Sequence, residues 1–242
     1  MSRPNDRDHD EARYAEVILV PNAAQLRRRL PPLLAGIVGI GIGIGLSVRA
    51  ELGLAPWDVL HQGLSKVTGI SIGMIVILVG IVVLLAWIPL RQKLGIGTVI
   101  NTLTVGLVAD ATLAIVPHVH AMVARVPMFV FALLAFGLGG GLYIGAGLGP
   151  GPRDGLMTGL AARGHSIRAV RTGIELIVLL AGWLLGGTVG LGTVLYALGI
   201  GPLAHVFVPR LTVQPPRVPD RKAAELPGAA MRQPTYETAR RR

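Results

Sequence analysis

The twelve residues GLAPWDVLHQGL at 53–64 return, altered, as GPGPRDGLMTGL at 149–160. A shift of 96 pairs Gly53 with Gly149, Pro56 with Pro152, Asp58 with Asp154, Leu60 with Leu156, Gly63 with Gly159 and Leu64 with Leu160. The same shift holds backwards along the chain, giving 12 identities in the 28 pairs that begin at Gly41. After one deletion the shift becomes 95, and GIGTV at 95–99 meets GLGTV at 190–194. Matches that keep one register over this length mark an internal duplication, so the fold must be built from two copies of one unit.

What the unit must be follows from its composition. Of 242 residues, 52% are hydrophobic and 15% charged, against roughly 25% charged in an ordinary soluble domain, and the mean hydropathy is +0.61. The apolar residues gather into runs near 33–48, 71–90, 95–116, 128–148, 169–187 and 190–208. A helix needs about 20 apolar residues to cross a bilayer core of ~30 Å. The reading is an all-α polytopic membrane protein with six transmembrane helices, set in a lipid bilayer. Residues 1–30 form a polar cytoplasmic tail ending in Arg27-Arg28-Arg29, 31–117 the first repeat, and 118–209 the second. Residues 210–242, rich in Pro and Arg, read as a disordered basic tail. The triple arginine before the first span favours a retained, positively held helix over a cleaved leader.

Lys and Arg set the orientation. With both termini in the cytoplasm, 20 of the 23 fall inside and only Arg49, Lys66 and Arg125 outside, as the positive-inside rule requires. The net charge of +10 is then a topology signal, and nucleic acid is not needed to explain it. Three spans per copy is an odd number, so the two copies must lie upside down relative to each other: a 3+3 inverted-topology repeat. Asp58 falls in an outside loop and Asp154 in an inside one, which places them at opposite mouths of any central path.

Each copy of the motif starts a short helix, near 56–67 and 152–163. Pro56 and Pro152 suit a first helical position, where the missing N–H has no partner anyway. Asp58 and Asp154 then sit in the first turn, where a carboxylate complements the helix dipole. About 12 residues at ~1.5 Å each reach ~18 Å, too short to cross, so each is a re-entrant or an interfacial helix. Capping alone accounts for these residues; so does a solute site built on Pro56, Trp57, Asp58, Pro152, Arg153 and Asp154. Arg49 and Arg153 are the nearby counter-charges.

Other polar residues in the runs are Asn101, Asp110 and Glu175, which lipid does not tolerate unless they face the protein interior or a wet cavity. Asn101 and Asp110 suit interhelical hydrogen bonds. Arg171 and Glu175, four apart on one face, suit an ion pair. The glycines of the first span make two faces, Gly36/Gly39/Gly43 and Gly41/Gly45, suited to close helix packing or to a substrate path. No cysteine is present, and His118-x-His120 lacks a third ligand, so neither a metal nor a cofactor is expected. Phosphate-binding loops, nucleophile elbows and dinucleotide fingerprints are likewise missing, and no enzymatic role is expected.

Four blocks, GLAPWDVLHQGLSKVTGISIG, WIPLRQKLGIGTVIN, GLYIGAGLGPGPRDGLMTGL and VRTGIELIVLLAGWLLGGTVGLGTV, resemble the YczE/YitT family of bacterial integral membrane proteins over about 33–209, nearest its YczE branch. The resemblance implies a multi-pass inner-membrane protein and assigns neither substrate nor site. From the residues themselves, two functions remain open. One is a transporter or channel-like protein for a small solute. The other is a non-transporting scaffold or accessory protein for a partner enzyme or export system. Either is compatible with a homo-oligomer or a partner membrane protein.

Overall fold

The computed structural model describes residues 21–213; the readings of 1–20 and 214–242 lie outside the described residues. Among the described residues the chain is entirely helical, with α1 (Ala23–Ala50), α2 (Pro56–Thr68), α3 (Ile72–Leu90), α4 (Ile96–Ile115), α5 (Met122–Ala146), α6 (Pro152–Ala161), α7 (Ile167–Leu184) and α8 (Leu191–Leu211). Five of them, α1, α3, α4, α5 and α8, are long and apolar enough to cross a membrane. α7 has 18 residues and carries Arg168, Arg171 and Glu175, which set it apart from those five. α2, with 13 residues, and α6, with 10, are too short to span on their own.

Local chemistry sets the ends. Asn22 caps α1 by accepting from the Gln25 N–H at 2.9 Å, and Gln25 accepts from the Asn22 N–H at 3.0 Å. Such a reciprocal capping box satisfies two of the orphan donors of a helix start. α1 therefore begins inside the expected polar tail, and Arg27 to Arg29 are helical. Arg29 is only 4% exposed and donates to the Ala146 carbonyl at 2.8 Å. One arginine of the triple that ends the expected tail thus joins the start of α1 to the end of α5.

The body is organised by glycine. A Cβ at Gly36 would stand 2.6 Å from the Gly139 carbonyl oxygen, and one at Gly43 2.9 Å from that of Ala132, so this face of α1 lies backbone to backbone against α5. The other face, Gly41 and Gly45, takes Val108 and Thr112 of α4. On α5 the equivalent glycines, Gly137 and Gly141, take Leu203 and Phe207 of α8. Both glycine faces thus serve packing, which lets helices approach closely where no hydrophobic force drives them together.

The two short helices are exchanged. α2 packs on α7, and α6 packs on α3. An added Cβ at Gly182 of α7 would collide with the backbone of Val59 and Leu60; one at Gly155 of α6 would collide with the Trp87 ring of α3. The segment leading into each short helix is held in the same crosswise manner. Gly192 N–H donates to the Leu52 carbonyl at 2.7 Å, and Gly97 N–H to the Leu148 carbonyl at 2.8 Å. Gly53 and Gly149, next along, adopt φ of +117° and +126°, a region closed to residues with a Cβ. So GIGTV grips the approach to α6, and GLGTV grips the approach to α2.

Candidate functional site

The two helix starts meet. The Arg153 guanidinium lies over the Trp57 ring, 5.1 Å from its centroid, a cation–π distance. Residues 57 and 153 are partners under the 96-residue shift, so each motif touches its own copy. Arg153 Nη2 is also 3.3 Å from Asp58 Oδ1, and His61 Nδ1 is 3.2 Å from the same oxygen. Asp58 is 2% exposed and His61 1%. A carboxylate that deep requires a partner, since an unpaired buried charge costs several kcal/mol. Arg153 supplies it from the other copy.

This corrects the expectation that Asp58 and Asp154 sit at opposite mouths: the residues next to them bring their two helix starts together. It also separates the two carboxylates by environment. Asp58 is enclosed and paired. Asp154 is open, its Oδ2 lying over Gly151 at the start of α6, and among the described residues no ion pair reaches it.

Asp154 opens onto a cavity of about 270 Å³. Its walls are mostly apolar, from Ile40, Ile44, Val76, Val79, Val83, Val105 and Ile200, with Trp57, Phe136, Tyr143 and Tyr196 supplying aromatic surface. Its polar groups are His61, Asn101, Thr102, Arg153, Asp154, Arg171 and Glu175. Pro56 and Pro152 line it where the short helices begin. Trp87 holds one of them in place, its Nε1 donating to the Pro152 carbonyl at 3.0 Å. Arg171 Nε and Glu175 Oε1 pair at 3.0 Å as their spacing implied.

Two expected members are elsewhere. Asp110 lies outside this lining: its carboxylate accepts from Ser71 Oγ at 2.6 Å and from the Gly73 N–H at 2.7 Å. It caps α3 from α4, the interhelical bond that a polar residue in a span suggested. Arg49 turns away from Asp58 to His118 and the Leu113 carbonyl. His61 was missed; its spacing of three from Asp58 on a helix opened by Pro56 was the available signal. Ser47 and Tyr196, joined through their hydroxyls at 2.5 Å, were missed too, because 149 residues separate them.

Residues 27–209 match the family described as "Family of unknown function (DUF6198)". The chain belongs to the DUF6198 family. Both motifs and every lining residue of the DUF6198 cavity fall within that match. An uncharacterized protein of Haemophilus influenzae is 41% identical over 191 residues, 78% of this chain and 87% of its own. YczE of Bacillus subtilis, described as an uncharacterized membrane protein, is 32% identical over 179 residues, covering 73% and 83%. YyaS of Bacillus subtilis, described as uncharacterized, is 30% identical over 184 residues, covering 72% and 89%. No solved structure matches. With its apolar helices and a membrane-protein relative, this DUF6198 chain is a YczE-like, multi-pass helical membrane protein.

Proposed function

We propose that the chain moves a small solute across the bacterial cytoplasmic membrane, as a transporter or channel-like protein, without chemistry on that solute. The observation that carries this is the cavity of about 270 Å³ where the two copies of the motif meet, holding charged groups inside an apolar body. Ionisable groups inside a membrane protein are rare, face the bundle interior or a wet cavity, and mark substrate or ion paths.

The architecture behind the proposal is six crossings, α1, α3, α4, α5, α7 and α8, in two inverted halves. α7 counts as the sixth because Arg171 and Glu175 neutralise each other and face the cavity. The crosswise grips Gly192–Leu52 and Gly97–Leu148 support the pairing of halves. In this arrangement α2 and α6 are half-helices entering from opposite sides, with their positive N-terminal ends meeting near mid-depth, as in known inverted-repeat carriers. Both termini are cytoplasmic.

One contact breaks the symmetry between halves. α3 packs on α4 across Gly73 and Gly106, while the equivalent α7 and α8 scarcely touch. The cavity reaches the gap between them, lined there by Arg171, Glu175, Ala197 and Ala204. Rocking one half against the other would close that gap and open its counterpart between α3 and α4, carrying the cavity from one side to the other. The scaffold reading rests on a different observation, the backbone-tight α1–α5 seam, which needs no cavity. A solute-uptake screen in reconstituted vesicles separates them. Transport predicts uptake by wild type and its loss in the Asp58→Asn, Asp154→Asn double variant; a scaffold predicts no uptake by either.

A further inference from the structure

We propose that the cavity takes a small monovalent organic cation with an apolar body, neutralised by Asp154, which otherwise holds a proton. This rests on the transport reading and names its substrate class. The argument is a charge sum. Three carboxylates, Asp58, Asp154 and Glu175, share the site with two guanidiniums, Arg153 and Arg171. Arg153 is committed to Asp58 and Arg171 to Glu175. His61 turns its Nδ1 to Asp58 Oδ1 at 3.2 Å, so it belongs to the closed Asp58 group, and among the described residues it makes no ion pair with Asp154. One negative charge is left, on Asp154, the carboxylate that stands open to the cavity.

The neighbours confirm that nothing else cancels it. α3, against which α6 packs, carries no titratable side chain. α7 contributes Arg171 and Glu175 as a closed pair, α2 contributes Asp58 and His61, and α5 contributes the Tyr143 hydroxyl, which donates to the Gly149 carbonyl at 3.1 Å. An uncompensated carboxylate among apolar walls is costly, so either a proton or a bound cation must neutralise it. The rest of the wall suits the cation's body. Trp57 is buried with its indole N–H unpartnered among the described residues, and Trp57, Tyr143 and Tyr196 offer the aromatic surface that attracts alkylammonium groups. The volume, about 270 Å³, lies at or just below the small end of ligand pockets, roughly 300 Å³.

The test uses the full chain in lipid nanodiscs, titrated calorimetrically with benzyltrimethylammonium and, separately, with the anion benzenesulfonate. Saturable binding of the cation alone is expected. Asp154→Asn weakens it by roughly thirtyfold or more, while Asp154→Glu retains it. In wild type, which needs no variant to fold, affinity falls as pH falls, by up to about tenfold per unit where the proton competes. Cation binding that ignores pH, that survives Asp154→Asn unchanged, or that yields to benzenesulfonate overturns the inference, as does an absence of binding. The same two probes in proteoliposomes keep it apart from the transport reading. Benzenesulfonate uptake without cation uptake sinks the cation and leaves transport standing; saturable, pH-dependent cation binding without uptake supports the site and sinks transport.

Discussion

Gly139 and Gly140 are neighbours on α5, and the structure assigns them opposite responses to the same substitution. A Cβ at Gly139 would stand 2.7 Å from the Gly36 carbonyl oxygen and 2.7 Å from the Ile40 nitrogen; at Gly140 it would meet nothing within 4 Å. In both variants alanine favours the helix, by about 1 kcal/mol. At Gly140 that gain stands. At Gly139 the obstacle is backbone, which has no rotamer to yield, so α1 and α5 must part by roughly 0.7 Å to restore ordinary contact near 3.4 Å. Overpacking of that kind costs about 1–3 kcal/mol, and the seam runs the length of both helices, which favours the upper end. Gly139→Ala is therefore expected about 2–3 kcal/mol below Gly140→Ala, or roughly 5–10 °C lower in melting temperature. Thermal unfolding of the purified variants in detergent, followed by helical signal, measures it. Equal melting temperatures would refute the claim that glycine sets the α1–α5 seam.

Three other outcomes follow from single contacts. Arg153→Met strips Asp58 of its guanidinium while leaving it buried, and costs about 3–5 kcal/mol; adding Asp58→Asn recovers much of that loss, read by the same melting assay. Asp110→Ala removes two bonds that hold the start of α3 and lowers stability by about 1–3 kcal/mol; vesicle uptake per folded molecule stays at the wild-type rate, since Asp110 is a cap. Trp87→Phe keeps most of the packing on Gly155 and loses the bond to the Pro152 carbonyl, for about 1 kcal/mol, measurable by chemical unfolding.

Helix positions were legible where the chain is punctuated. Pro56 and Pro152 open the short helices, Ser71 caps α3, and Gly69 and Gly147 close α2 and α5 in left-handed conformations; each leaves a mark in the sequence because its backbone role demands its residue type. The start of α1 is marked by Asn22 and Gln25, a capping pair three residues apart, whereas the burial of Arg29 was not legible, because it depends on a carbonyl 117 residues away. The glycine faces of α1 could be read from spacing, although only the structure assigns one to α5 and the other to α4. The site was half legible. The shift of 96 picked out Asp58, Arg153 and Asp154, and the Arg171–Glu175 pair followed from helix geometry. That the copies touch through Trp57 and Arg153 could not be read, since it arises from exchange of the short helices between halves.

In the proposed fold the two half-helices enter the bilayer from opposite sides and meet at their starts. The chain has no cysteine, so single cysteines can report the side directly. Thr68→Cys marks the far end of α2 and Ala162→Cys the far end of α6, both exposed. Intact cells treated with a membrane-impermeant maleimide should label position 68 at once and position 162 only after permeabilisation. Labelling of both from the same side would contradict the inverted pairing of the halves.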